Sequence, residues 1–160
     1  MSYAFPTEER MIGNYIYEAL KNDEPELIEE YNLLPFPMQV QSFERTLIDK
    51  LFALCDYYIQ NKAARNSRHL YDIYKLWQQV VVDENFKSLV IEVRNHRLEI
   101  KDNVAPSAKP SVDIAATIKE FCDKDFYEND YERTTRNLIS DEILYQDVKA
   151  FIMEFTKDIF

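Results

Sequence analysis

Between Phe43 and Trp77 apolar residues recur at helical spacing in two runs divided by a polar, basic connection, so the pattern predicts two helices that each bury one face. In the first, Leu47, Ile48, Leu51, Phe52, Leu54, Cys55, Tyr58 and Ile59 cover half a cylinder. Lys50 falls at the margin of that half, near Thr46, Ala53 and Tyr57, whereas Arg45, Asp49 and Asp56 fall on the opposite side, expected to face water. The second run opens at Asn66-Ser67, whose side chains suit a helix start. It places His69, Leu70, Ile73, Tyr74, Leu76, Trp77 and Val80 on one face, with Asp72 at its margin between Arg68, Lys75, Leu76 and Gln79. The short connection Asn61 to Arg65 favours antiparallel packing, in which Lys50 and Asp72 border one cleft.

The flanking patterns are also mainly helical. Pro6-Thr7 marks entry to a helix from Glu8 to about Lys21, with Ile12, Tyr15, Ile16, Ala19 and Leu20 inward. Pro25 suits the first turn of a short helix ending near Tyr31. Pro35 and Pro37 then rule out a continuing helix, and the alternation Met38-Gln39-Val40-Gln41 predicts a short edge strand, an exposed pairing site. Asp83 caps a predicted helix from Glu84 to about Arg97 with Phe86, Leu89, Val90, Val93 and Leu98 inward. Lys101 to Ser111 has two prolines and no apolar period, and reads as a mobile loop. Ser111 begins a helix with Val112, Ala115, Ile118, Lys119 and Cys122 on related turns. Next comes an irregular stretch anchored by Phe126, Tyr127 and Tyr131 with its acids in water. A last helix runs from Asp141 to Asp158, capped by Ser140, with Ile143, Leu144, Val148, Phe151, Ile152 and Phe155 buried.

Charge narrows the function classes. The net charge of -10 argues against a general nucleic-acid surface, which needs Lys and Arg in excess. Residues 43–101 nevertheless carry ten Lys/Arg against eight Asp/Glu, so the centre is the one zone suited to an anion. Lys62, Arg65, Arg68 and Lys75 cluster there, although a solvated charged face is the commoner origin of such a cluster. Cys55 and Cys122 lie on apolar faces and read as buried thiols, not a disulfide framework. Two distant histidines and no Cys-x-x-Cys leave no metal-ligand spacing. Met1 to Arg10 has no basic and apolar signal segment, and no apolar run is long enough to span a bilayer, so a cytoplasmic location is expected.

The segment ERTLIDK around Lys50, followed by RHLYDIYKL around Asp72, resembles the abortive-infection nucleotidyltransferase toxins of the AbiEii/AbiGii family. The likeness extends to LPFPMQVQS, to EVRNHR and to APSAKPSVDIAATIKEFCDKDFYENDYE. It implies an enzyme with a nucleotidyltransferase domain followed by a helical domain, moving a nucleoside monophosphate from an NTP to an acceptor such as RNA. Lys50 would hold the phosphates, Arg68 would add a second contact, and Asp72, the catalytic position, would orient or deprotonate the acceptor hydroxyl. The family's Gly-Ser turn and following Asp-x-Asp are missing: the single glycine, Gly13, precedes Asn14 and no such acidic motif follows at the needed interval.

The chain is therefore expected to be the C-terminal portion of such an enzyme, truncated or split. It would be mainly α, a helical bundle with one or two short edge strands and without the core sheet. Residues 1–42 would be the remnant of the nucleotidyltransferase domain's edge, and residues 43–160 the helical C-terminal domain. Cofactors are none for this chain alone, with Mg2+ and NTP entering in a complete enzyme. Expected partners are an N-terminal half and an antitoxin, with RNA only for the complete enzyme and no membrane; an oligomer is open. The alternative is a non-catalytic helical interaction module or inactive remnant. By pattern alone, Lys50 and Asp72 form an interhelical ion pair or solvated rim charges. His69 reads as a hydrogen-bonded core histidine, and Arg94 and Arg97, three apart on one face, as partners of nearby carboxylates.

Overall fold

The computed structural model describes residues 5–100 and 104–160. Its described residues form eight α-helices and one two-stranded antiparallel sheet, so the chain is mainly α. They fall into two compact units that divide between Ser42 and Phe43.

In the first unit β1 (Thr7–Ile12) pairs with β2 (Phe36–Gln41), Thr7 opposite Gln41 and Ile12 opposite Phe36. Between them run α1 (Tyr15–Leu20) and α2 (Pro25–Glu30). The helix expected from Glu8 to Lys21 is thus a strand in its first half. Glu8 and Arg10 are two apart and form an ion pair at 2.7 Å, a period-2 contact along one strand face. Helix begins only where the Asn14 side chain accepts the Tyr17 N–H at 2.8 Å. The edge strand expected at Met38 to Gln41 starts two residues earlier and has β1 along one side. Ser42 N–H donates to Pro6 O at 3.0 Å, which sets the parity of the ladder: Phe36, Met38 and Val40 bond inward to β1. Pro37, opposite Met11, therefore loses no ladder bond.

The second unit is built around α3 (Phe43–Ile59), which packs on α4 (Arg68–Trp77), α5 (Glu84–Leu98), α6 (Ile114–Asp123) and a 3₁₀ turn at Pro106–Ala108. α7 (Glu128–Arg133) and α8 (Tyr145–Phe155) complete it, with 3₁₀ turns at Thr135–Asn137 and Thr156–Asp158. Leu47, Ile48, Leu51, Phe52, Leu54 and Cys55 are buried from α3, joined by Leu70, Ile73, Val93, Ile118, Val148 and Ile152 from its neighbours. Each such aliphatic side chain contributes about 1.5–3 kcal/mol on burial.

Of the side of α3 expected to face water, only Asp49 stays partly exposed. Arg45 and Asp56 are each 3% exposed, and α5 and the Pro106–Ala108 turn pack on α3. The segment read as a mobile loop is part of this packing: Ala105, Ser107 and Ala108 are buried, Ser107 N–H donates to Asp56 Oδ1 at 2.7 Å and Ser107 Oγ to Phe52 O at 3.2 Å. Lys101, Asp102 and Asn103 of that segment lie outside the described residues. Arg97 Nη2 meets Asp56 Oδ2 at 2.5 Å, and Arg97 Nη1 lies 3.5 Å from Asp49 Oδ1. Arg94 instead donates to backbone oxygens of Ala108, Lys109 and Val112, tying α5 to the turn.

Helix starts differ in detail. Asp83 accepts the Phe86 N–H at 2.9 Å and caps α5. Asp113, two residues beyond Ser111, caps α6. α8 begins at Tyr145, not Asp141, and the Asp147 carboxylate, not Ser140, accepts the Leu144 N–H at 3.3 Å. Leu98 and Leu144 are exposed, each lying at a helix end beyond the reach of the core. The stretch read as irregular holds α7. Its Tyr127 hydroxyl donates to Leu54 O at 2.7 Å, and Tyr131, also buried, donates to Ile143 O.

Candidate functional site

The α3–α4 seam brings Lys50 and Asp72 together. Lys50 Nζ donates to Asp72 Oδ2 at 2.6 Å, while one helical interval away Tyr57 stacks on His69 with ring centroids 5.8 Å apart. Rising number on α3 thus meets falling number on α4, so the two helices run antiparallel. Leu47, Leu51 and Leu54 on α3 and Leu70 and Ile73 on α4 are buried and hold the helices at this register. The two charges stand where the packed face meets water, with side chains 23% and 36% exposed. Partial burial pushes the Asp72 carboxyl up, but His69 and Lys50 outweigh it and hold the group below its ordinary value.

His69 was expected to be a hydrogen-bonded core residue. Its ring is stacked and mostly buried, but Nδ1 is buried without a hydrogen-bond partner and points to Asp72 Oδ2 at 3.8 Å. The clue in the sequence was the i, i+3 spacing of His69 and Asp72, which puts both on one helix face.

Arg68 opens α4 one turn before Asp72, and its side chain is exposed. It shares a helix face with Asp72 through its i, i+4 spacing but is not drawn into the ion pair. Of the other basic residues in the central cluster, Lys75 is engaged. Its ammonium lies 3.0 Å from Asp141, which also accepts the Tyr71 hydroxyl at 2.9 Å. Those two contacts hold the Asp141 carboxyl below its ordinary range.

The connection between the two helices is clasped by a residue that periodicity did not single out. Asp130 accepts the N–H groups of Arg65 and Ser67 at 2.8 and 3.1 Å and the Ser67 hydroxyl at 2.6 Å. Ser67 Oγ also lies 2.6 Å from Thr135 Oγ1, so Ser67 does not cap α4 with its own side chain. The Asn66 side-chain amide donates back to Lys62 O and Ala64 O instead of accepting from the helix. Asn61 and Arg65 adopt positive φ of 55° and 65°, which non-glycine residues hold only where surrounding bonds select it. Asp130 is one such bond, and it sets where α4 starts relative to α3. Its neighbours stabilise the carboxylate: burial opposes ionisation, but hydrogen bonds from Ser67, Arg65 and Thr134 bring the group below its ordinary value.

A family model for the nucleotidyl transferase AbiEii toxin of type IV TA systems matches residues 2–158. The chain belongs to the AbiEii family. No curated protein and no solved structure matches it significantly. The AbiEii assignment covers both compact units and includes the Lys50 and Asp72 segments, whose side chains meet at the seam.

Chemically, the seam offers a lysine ammonium, a compact cation suited to phosphate oxygens, and a carboxylate able to accept a proton or a hydroxyl hydrogen bond. Among the described residues no group of three or more His, Cys, Asp or Glu side chains could hold a metal ion. Gly13 is not a phosphate-cradling turn either: the N–H that follows is Asn14, the cap of α1, and a Cβ added at Gly13 would make ordinary contact with Pro35 at 3.6 Å. No helix among the described residues is long and apolar enough to cross a membrane.

Proposed function

We propose that this chain is the C-terminal part of an AbiEii-type nucleotidyltransferase toxin, which moves a nucleoside monophosphate from an NTP to an acceptor such as RNA. The observation that carries this reading is the Lys50–Asp72 contact across the α3–α4 seam, with Arg68 exposed one turn away. Phosphoryl transfer depends mainly on positioning and charge stabilisation. Lys50 and Arg68 supply positive charge for the triphosphate, and Asp72 orients or deprotonates the attacking hydroxyl. Lys50 must exchange its carboxylate partner for a phosphate oxygen when nucleotide arrives, which leaves Asp72 free to accept from the acceptor. The Gly-Ser turn and acidic pair absent from this sequence would come from an N-terminal half in trans, which would also bring the metal site. The reading places the protein in the cytoplasm, opposed by an antitoxin and acting in phage defence.

A second reading is a non-catalytic helical module. It is supported by the closed ion pair itself, since Lys50 and Asp72 neutralise each other at 2.6 Å without any ligand. The two readings separate in one experiment. The chain is mixed with a family N-terminal half that carries the Gly-Ser and Asp-x-Asp motifs, magnesium, radiolabelled NTPs and RNA. Transfer that collapses in Lys50→Ala and Asp72→Ala supports the enzyme reading. Absence of transfer, or transfer indifferent to both substitutions, supports the module.

A further inference from the structure

The sheet of the first unit has two strands. A two-stranded sheet alone is marginal in water and needs further strands or a packed helix for stability. Among its described residues Ile28 is the hydrophobic side chain that becomes buried, while Met11, Phe36 and Met38 stay 63%, 56% and 47% exposed. The two outer edges of the sheet are not equivalent. The ladder parity leaves Pro37, Gln39 and Gln41 turned outward on β2, and proline there has no N–H to offer. On β1 the outward residues are Thr7, Glu9 and Met11, each with both a donor and an acceptor. β1 is therefore the edge able to accept another strand.

We propose that this edge takes β1 of a second copy of the chain, antiparallel about a twofold axis at Glu9, giving a four-stranded sheet ordered β2-β1-β1-β2. The argument for a second copy is charge complementarity. With Glu9 opposite its own copy, the outward backbone groups of Thr7, Glu9 and Met11 all fall in bonding register. The same register sets Glu8 of one chain opposite Arg10 of the other, and Arg10 opposite Glu8. Since Glu8 and Arg10 already pair within each strand, the four charges close into a ring of alternating sign. Moving the twofold axis by one residue in either direction places Glu8 opposite Glu8 or Arg10 opposite Arg10. Those registers bring like charges together. The pairing is also isologous, so it closes at two copies and does not run on into a fibre.

Light scattering and sedimentation of the full chain at low ionic strength test this. A concentration-dependent rise from the chain mass of 19.1 kDa to twice that value, reached by about 100 µM, is the expected result for an interface at the small end of the range. Glu9→Pro removes an outward N–H without touching the β1–β2 ladder, and it is expected to return the protein to monomer. Arg10→Glu is expected to do the same by opposing like charges, and Glu8→Arg with Arg10→Glu restores the dimer by exchanging the signs. The double substitution guards against misfolding of either single variant, and the helical circular dichroism of the second unit serves as a control. A wild-type monomer throughout that range overturns the proposal, as does a dimer that ignores both Glu9→Pro and Arg10→Glu. Because no nucleotide enters the measurement, its outcome is independent of the transferase reading.

Discussion

Lys50 and Asp72, twenty-two residues apart, meet at 2.6 Å across two antiparallel helices with both side chains still partly in water. The Asp72 carboxyl is held low in the folded state, so on acidification the unfolded chain takes up its proton first. The stability contributed by this group is present above the unfolded carboxylate value of about 3.9 and is lost as pH falls through the lower folded value. Urea midpoints of the wild type and Asp72→Asn are expected to differ at pH 7 and to converge in acid. A gap that persists unchanged below the carboxylate range contradicts this account.

Arg97 and Asp56 form the more deeply buried pair, at 2.5 Å with Asp56 nearly sealed. Removing the guanidinium strands a charge in the interior, and Arg97→Ala is expected to cost about 3 kcal/mol. Adding Asp56→Asn to that variant recovers part of the loss, because a neutral amide needs less compensation than a carboxylate. Trp77, the one tryptophan, packs on Phe155 with ring centroids 4.0 Å apart, so its fluorescence reports unfolding in urea. Equal stability of Arg97→Ala and wild type shows that the pair is not structural.

Asp130 governs the connection that sets the seam. Its replacement by alanine leaves the Arg65 and Ser67 N–H groups without their acceptor and is expected to cost about 2 kcal/mol. Arg65→Gly is expected to gain about 1 kcal/mol, since glycine adopts the positive φ of 65° without a steric cost. Chemical denaturation of the two variants checks both signs. If the connection matters to the seam, Asp130→Ala also broadens or shifts the Lys50 ammonium resonance.

Neither thiol is expected to react in the folded protein. Cys55 and Cys122 are buried, and burial pushes the Cys122 thiol up to about 12 and the Cys55 thiol higher still. A disulfide reagent is expected to label both only at the rate of unfolding, with the slow phase vanishing in urea. Fast labelling of either at neutral pH without denaturant contradicts the packing of α3 on α6.

Much of the second unit was legible because an amphipathic helix writes its period locally. The buried face of α3, the Asp83 cap and the approach of Lys50 to Asp72 all follow from residues within a few turns and from one short connection. The strand Thr7–Ile12 was not legible, since Glu8, Glu9 and Arg10 are no worse in a helix and only β2 makes them a strand. The burial of Arg45 and Asp56 was hidden for a related reason. Asp56 reads as part of a wet face until Ser107 of the Pro106–Ala108 turn, some fifty residues on, and Arg97 supply the groups that satisfy it, while buried Arg45 pairs with Asp49 on its own helix.

By itself, the sequence determined the helical character of the chain, the apolar faces of its central helices and its likeness to the AbiEii toxins, because side-chain spacing and motif lettering are properties of the covalent chain. The tertiary structure alone decided which charges are paired and which backbone groups remain open. Arg97 chooses Asp56 and Asp130 clasps Ser67, because each outcome depends on segments brought together only by burying a shared core, and among the described residues β1 has β2 as its one partner strand.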